Sequence, residues 1–442
     1  MRSIARQIAH TLFTKGLTAV SRIALTVVLS RNLAAADYGA YALIGTVDTF
    51  GVLLVGLSLF MYVYRAAPGR NEESQLRLFK TTFLFELSAT IVLVVATIAS
   101  GSLPVFLRWF HADGYERVFA IGLALLVLLV ALAEATYFLQ AQTRIETANW
   151  IDFLSQAAWI LPFALWWVAG RPVTVETVLL AQIGGCIAAL ALAARQIGLG
   201  GWLRARFLWS ELRPAIAFSV PTIVPSIAFY ALKLADRFIL SSYWTLKEVG
   251  LYSFAYTFVN MVYTFSAWAI FNAFGPRIIA AHNNGDLEQR DLLQTYMLKV
   301  SITSYACGVV AILILYRPVI AAIARPEYVE AVRALPLLAL VQLVVIAAYP
   351  AGNMLFMENR VRLSAAIDFI GMIVGVGCNL LLIPRWSYMG AAVASLFGFV
   401  TIFVGKYAAS GMIARLRFDR LFSIDNEVRL LNSYYRRFRH AN

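Results

Sequence analysis

Residues 14–33 read TKGLTAVSRIALTVVLSRNL, an apolar run with Arg22 near its middle. About 20 predominantly apolar residues in a helix cross the roughly 30 Å hydrocarbon core of a bilayer. The segment therefore predicts a membrane-spanning helix. An arginine near the bilayer centre costs roughly 2.5–3.5 kcal/mol on insertion scales, so we expect Arg22 to have a partner or a function.

Comparable apolar runs fill the rest of the chain. Its 442 residues are 61% hydrophobic and 14% charged, with a mean hydropathy of +0.73, whereas soluble domains are about 45–50% apolar and about 25% charged. The composition predicts an all-α integral membrane protein with about 12 transmembrane helices. The expected spans are residues 14–33, 39–64, 79–103, 118–141, 148–169, 173–196, 214–240, 249–275, 293–316, 334–357, 361–384 and 388–412.

The net charge of +13 indicates orientation in a membrane and not nucleic-acid binding. If the N-terminus is cytoplasmic, most of the 37 Lys and Arg residues fall in short cytoplasmic segments. This asymmetry is the positive-inside rule, and it predicts a multi-pass protein with both termini in the cytoplasm. The three cysteines are isolated in apolar runs and have no metal-ligand spacing, so we expect neither a metal nor a cofactor.

Two internal matches indicate a duplicated chain. SRNLAAADYGAYALIGT, from Ser30, aligns without a gap with SSYWTLKEVGLYSFAYT, from Ser241, and places Gly39 on Gly250. Near the same offset, RIETANWIDF aligns with RVRLSAAIDF and places Asp152 on Asp368. Repeats separated by an even number of spans insert with the same orientation and are related by an axis along the membrane normal.

The duplication predicts two pseudo-symmetric six-helix lobes around a central cavity. We place an N-terminal lobe at residues 1–205 and a C-terminal lobe at residues 206–412. Residues 413–442 then form a basic cytoplasmic tail whose apolar positions repeat at helical spacing. This pattern is typical of an amphipathic helix on an anionic membrane surface, and a partner-docking helix is the alternative.

The same offset places Arg22 on Lys233, so each half has a cation at the same point of its first helix. Polar residues continue along one face of both helices at spacings of three and four. Such faces point toward protein or water and away from lipid, and we expect them to bind substrate. The candidate residues are Arg22, Lys233, Arg237, Lys15, Thr18, Thr26, Ser226 and Tyr230.

A structural role for these cations is the alternative interpretation. Asp48 in the second span could neutralise Arg22, and Asp236 could neutralise Lys233. Asp48 is also a candidate for ion coupling, together with Glu86 and Glu134, although either glutamate could reach the cytoplasmic interface.

The duplicated aspartates are interpreted as structural. Asp152 and Asp368 lie near inner helix ends, each with an arginine across the turn. We expect ion pairs with Arg144 and Arg360 respectively.

The sequence contains no evident catalytic machinery. The connection LPVFLRWFHADGYERV holds the only acid–base cluster on the outer side, His111, Asp113 and Glu116, which we interpret as an ordinary solvated loop. A GxxxxGK[ST] nucleotide loop is missing too. We therefore expect a carrier and not an enzyme.

Three stretches resemble the recurrent signatures of Wzx-type bacterial polysaccharide repeat-unit flippases. They are AADYGAYALIG, ADRFILSSYWTLKEVGLYSFAYTFVN and NLLLIPRWSYMGAAVAS, in the family's order. That family is a polysaccharide transporter family of the MOP superfamily, related to the MATE exporters. One departure is Ser387, where the family usually has glycine in the turn before the last span.

The resemblance implies a MATE-like bundle in the bacterial inner membrane. It would move undecaprenyl diphosphate-linked oligosaccharides for O-antigen, capsule or exopolysaccharide, through a cationic cavity. It also implies contact with membrane lipids and, as partners, a polysaccharide polymerase and a chain-length regulator, with the carrier itself a monomer. A MATE-like cation-coupled antiporter, a lipid II flippase and a membrane glycosyltransferase remain alternatives.

Overall fold

The computed structural model describes residues 2–412, and the predicted amphipathic tail lies outside them. The described chain is helical throughout and contains no β-strand. Its α-helices are α1 (Arg2–Asn32), α2 (Ala35–Leu54), α3 (Leu59–Ala66), α4 (Glu72–Ala99), α5 (Ser102–Trp109), α6 (Glu116–Ala141), α7 (Ile145–Phe153), α8 (Ile160–Val168), α9 (Val175–Ile197), α10 (Leu199–Arg204), α11 (Trp209–Tyr243), α12 (Leu246–Tyr263), α13 (Ala269–Asn283), α14 (Leu287–Ile323), α15 (Leu335–Met357) and α16 (Val361–Ser410).

Short irregular helices join several of these elements. A π-helical turn, Leu154–Ala158, lies between α7 and α8, and a second, Thr264–Trp268, lies between α12 and α13. A 3-10 helix, Pro326–Ala334, precedes α15. Such π-turns insert an extra residue into an α-helix and bend it, and they are frequent at functional sites.

The all-α membrane fold predicted from the sequence is confirmed. Within the described residues, 8 helices are long and apolar enough to cross a membrane, or up to 10 if each of two bent pairs is one span. The bent pairs are α2 with α3, at 52°, and the two parts of α11, at 57°. The predicted eighth span, α12–α13, is not among them, and the predicted eleventh and twelfth spans form α16.

Ser387 divides the 50-residue α16 into two helices. Its backbone has φ 52° and ψ −137°, a conformation outside the helical region. Positive φ is strained for a residue with a Cβ, and glycine adopts it freely. The family's usual glycine at this turn is thus explained, and each half of α16 is long enough to cross the bilayer.

The chain divides into two compact units. The first comprises Met1–Ala255, Tyr316–Ala334 and Val376–Ser395. The second comprises Tyr256–Leu315, Leu335–Gly375 and the chain from Leu396 onward. All candidate site residues belong to the first unit, and the division into lobes at residue 205 stays a prediction.

Duplicated glycines meet within the first unit, where α2 and α12 begin. A Cβ added at Gly39 would lie 1.9 Å from the carbonyl oxygen of Leu246, and one added at Gly250 would lie 1.8 Å from that of Ala35. The offset that aligns Gly39 with Gly250 also aligns Ala35 with Leu246. The two copies therefore contact each other reciprocally, as equivalent residues do across a twofold axis.

Within the second unit, tyrosine hydroxyls and the ion pair of Lys406 with Asp368 join different segments of the chain. Tyr305 donates to the carbonyl of Ala339 at 3.0 Å, and Tyr407 donates to that of Ala347 at 2.9 Å. Hydroxyls buried in an apolar bundle need such acceptors.

The two duplicated aspartates form ion pairs, but the predicted partners are wrong. Asp152 pairs with Lys15 of α1, and the Nζ of Lys406 in α16 lies 2.8 Å from the Oδ1 of Asp368. Arg144 instead binds the backbone and side chain of Gln196, and Arg360 donates to the carbonyl of Ala409. A sequence reading favours neighbours across a turn, whereas Lys15 reaches Asp152 from another helix and Lys406 reaches Asp368 from the other side of the break at Ser387 in α16.

Candidate functional site

Helix α1 contributes one face of the candidate site. Thr18 is half-buried and Thr26 is buried, and each hydroxyl donates to the carbonyl four residues earlier. This back-bonding satisfies the hydroxyls inside an apolar bundle. The other two candidate residues on this face are the cations Lys15 and Arg22. Their side chains are long enough to reach away from the helix.

Arg22 is exposed halfway along α1, on the side opposite the helix's exposed apolar face. Phe13, Leu17 and Val20 are 62%, 36% and 58% exposed and share one face. Arg22 is also exposed, and at about 100° per residue it lies roughly on the reverse of that face. In a membrane helix, an exposed apolar face is expected to contact lipid, and an exposed arginine on the opposite face is expected to contact a polar space.

Arg22 has no carboxylate partner among the described residues. The expected alternative, an ion pair with Asp48, is not formed. The guanidinium instead lies within electrostatic range of the Tyr41 hydroxyl on α2, and Asp48 acts on the same hydroxyl. Tyr41 thus interacts electrostatically with both charges. Asp48 is 6% exposed, and its Oδ1 has no donor within the described chain.

Helix α11 contributes the matching face. Ser226, Tyr230 and Lys233 are half-buried, and the Nζ of Lys233 lies 4.6 Å from the ring centre of Phe229. Tyr230 is within electrostatic range of Tyr137 on α6. The ring face attracts the ammonium group.

Arg237, four residues after Lys233 on this face, belongs to a buried network. Its guanidinium lies 3.1 Å from the Oδ1 of Asp236, and the Tyr252 hydroxyl donates to the Oδ2 of the same aspartate at 2.5 Å. The side chains of Arg237 and Asp236 are 6% and 1% exposed. The expected partner of Asp236 was Lys233, but the structure pairs Asp236 with Arg237.

Tyr137 of α6 interacts with groups near both faces. Besides Tyr230, it is within electrostatic range of Asp152, which pairs with Lys15. Lys15 and Asp152 remain 42% and 26% exposed, so this pair is accessible. Sequence reasoning missed Tyr137 because it lies in the apolar run of α6, where an aromatic residue is ordinarily a packing residue.

Two further carboxylates are buried in the first unit. Glu86 of α4 and Glu134 of α6 are 1% and 0% exposed. They are close enough to interact electrostatically. No cation is among the groups that act on either of them.

The fold is shared with known membrane transporters. The lipid II flippase MurJ in an inward closed conformation superposes with a TM-score of 0.71 at 12% identity, over 92% of this chain and 87% of that one. An inward-facing MATE-family multidrug transporter of the MOP superfamily gives 0.68 at 13% identity, over 90% and 98%. The MATE transporter DinF-BH, in complex with R6G, gives 0.64 at 15%, over 91% and 94%.

Sequence comparison identifies a family, whereas the structural similarity shows only the fold. A family model described as "Polysaccharide biosynthesis protein" matches residues 28–303, which is more than half of the chain. No curated protein matches the chain. The match covers α2 to α13 entire and begins inside α1, so it includes both duplicated glycine contacts.

Proposed function

The chain belongs to the polysaccharide biosynthesis protein family, and from that premise we propose that it is a flippase for a lipid-linked saccharide. The proposal combines the family with a transporter fold of the MOP superfamily. Both belong to carriers and not to enzymes. The expected resemblance to polysaccharide transporters is confirmed at the level of the family.

The observation that carries this proposal is Arg22. A cation exposed in mid-membrane, on the face opposite the exposed apolar one, is favourable only where water or an anionic ligand receives it. A flippase substrate supplies such an anion, because its diphosphate must cross the apolar layer. A planar guanidinium binds phosphate oxygens with two parallel hydrogen bonds.

Other cations and hydroxyls of the candidate site suit the remaining phosphate oxygens and the sugar of such a head group. Lys15 and Lys233 add cations from two helices, and the hydroxyls of Tyr230 and Tyr137 can donate to sugar oxygens. Flat aromatic faces also pack against sugar rings. We propose as substrate-binding residues Arg22, Lys15, Thr18, Thr26, Ser226, Tyr230, Lys233 and Arg237.

The full proposal names the substrate and the setting. The substrate is an undecaprenyl diphosphate-linked oligosaccharide repeat unit for O-antigen, capsule or exopolysaccharide, moved across the bacterial inner membrane by alternating access. Both termini lie in the cytoplasm, and a polymerase and a chain-length regulator take up the product. The three signature stretches support this finer assignment. Asp48, buried and lacking a donor on Oδ1, is a candidate for ion coupling.

Reconstitution in proteoliposomes tests the proposal. The lipid diphosphate-linked oligosaccharide is followed by its accessibility to a membrane-impermeant glycosidase, with wild type, Arg22→Ala and Lys233→Ala measured side by side. Arg31→Ala is the matched control, since Arg31 is an exposed arginine in the last turn of the same helix. We expect transport by wild type and the control, and a loss of at least about tenfold in the other two.

Competing substrates separate the alternatives. Lipid II transported better than the oligosaccharide lipid would favour the activity named for MurJ. An organic cation exported in exchange for protons would favour a MATE-like antiporter. Normal transport by both Arg22→Ala and Lys233→Ala would reject the cationic site.

A further inference from the structure

The second span is broken within the first unit, between α2 and α3. Leu57 and Ser58 have φ of 47° and 52°, and the helix axes change direction by 52°. Left-handed backbone is unfavourable in residues with a Cβ, so the surroundings must hold it. The Oε1 of Glu86, from α4, accepts the backbone N–H of Leu59 at 2.8 Å. A carboxylate therefore caps α3 at the break.

A second carboxyl group lies beside this cap. Glu134 of α6 interacts electrostatically with Glu86, and both are buried. The Oε2 of Glu86 and both carboxyl oxygens of Glu134 have no hydrogen-bond donor within the described chain. The Thr82 hydroxyl lies close to Glu134 and also donates to the carbonyls of Leu78 and Phe79, one turn earlier on α4.

The elements around the two carboxyl groups provide no counter-charge. From α11, the residues that pack on Leu59 are the apolar Leu212 and Ala215. On α2, Asp48 acts on Tyr41 and Cys186, and on α6, Tyr137 packs against Phe60 of α3 at 4.6 Å. Of the cations of α3, its following loop and α4, Arg65 lies over the ring of Phe218, Arg70 pairs with Glu211, and Lys80 donates to the carbonyl of Leu203. The fourth, Arg77, is not among the groups that act on Glu86 or Glu134.

We propose that Glu86 and Glu134 form a buried proton-binding site that controls the break between α2 and α3. Two adjacent carboxylates, of which only the Oε1 of Glu86 has a donor, are strongly unfavourable in an apolar interior. One proton taken up from water removes one charge, and the other charge stays on Glu86 as the cap of α3. The protonated carboxyl group of Glu134 then donates to the orphan Oε2 of Glu86.

The site links protonation to the shape of the second span. When the proton leaves, repulsion between the two carboxylates displaces Glu86 from the N–H of Leu59, and α3 loses its cap. The angle between α2 and α3 then changes with pH. This inference concerns proton binding by the chain itself and does not depend on which lipid-linked substrate is carried.

A carbodiimide reagent tests the site, because it couples to protonated carboxyl groups in apolar surroundings. The full chain in lipid nanodiscs is treated over a pH series without substrate, and labelled peptides are identified by mass spectrometry. We expect labelling at Glu86 or Glu134 that falls about tenfold per pH unit once the proton is lost. Glu73, exposed in the first turn of α4, is the matched control and should not be labelled.

Two variants and a distance measurement complete the test. Glu134→Gln should abolish the pH dependence of labelling and should also fix the distance between spin labels placed at Gly45 and Tyr64, which flank the break. In wild type this distance should change with pH. No labelling of either glutamate, labelling independent of pH, or protection by Na⁺ against choline would overturn the proposal, the last by identifying a metal cation as the ligand.

Discussion

The two copies of the duplicated segment treat their cations differently. In the second copy, Arg237, Asp236 and Tyr252 form a closed and buried network. In the first copy, Arg22 is exposed and Asp48 has an orphan oxygen, and Tyr41 is within electrostatic range of both. Tyr41 and Tyr252 are equivalent positions, so the same tyrosine belongs to an ion-pair network in one copy and acts on two separate charges in the other.

This difference indicates that the cations of the two copies have different roles. A buried pair with all its partners stabilises the bundle without offering charge to a ligand. A cation that lacks a protein partner stays available for an anion. Arg237 therefore belongs more to the structure of the first unit, and Arg22 more to the binding of substrate, although the sequence presents both as members of equivalent polar faces.

The largest effect is expected where the copies touch. Gly39→Leu would place a Cβ within 1.9 Å of the carbonyl oxygen of Leu246, which neither backbone can avoid without moving. We expect a loss of about 3 kcal/mol or more in the free energy of unfolding, or no monodisperse protein. Thermal unfolding in detergent measures this. Gly45→Leu on the same helix, where a Cβ meets nothing within 4 Å, is the control and should be nearly neutral.

The next effect separates the closed network from the open one. Asp236→Asn leaves the guanidinium of Arg237 buried beside a neutral side chain, and we expect a loss of about 3–5 kcal/mol in the free energy of unfolding. Arg22→Ala should change it by less than about 0.5 kcal/mol, because this side chain is exposed and unpaired. Chemical denaturation of both variants gives the comparison. Equal losses for the two would show that Arg22 is structural too.

The smallest effect concerns the turn before the last helix of each copy. In the first copy, Gly170 adopts φ 73° before α9, whereas in the second copy Ser387 adopts φ 52°. Ser387→Gly should raise the free energy of unfolding by about 0.5–1 kcal/mol through relief of backbone strain. The melting temperature reports this gain. A fall in stability would instead mean that the Ser387 side chain supports the turn.

Periodicity and composition determined much of this protein. Long apolar runs can satisfy backbone hydrogen bonds in lipid only as helices, so the membrane fold was legible without tertiary contacts. The internal offset predicted that Gly39 and Gly250 are equivalent, and the polar spacing grouped Lys15 with Arg22. Three ordered motifs were sufficient to indicate the family.

Only the tertiary structure decided which charges are paired. Lys15 and Asp152 lie on different helices, and Lys406 and Asp368 lie on the two sides of the break in α16, so no local spacing could reveal either pair. Packing, and not local spacing, also brings Tyr137 near Tyr230 and Asp152 and places Glu86 at the break of the second span. A sequence fixes which helix face carries a charge, but the free energy of that charge depends on the donors and cations that packing brings to it.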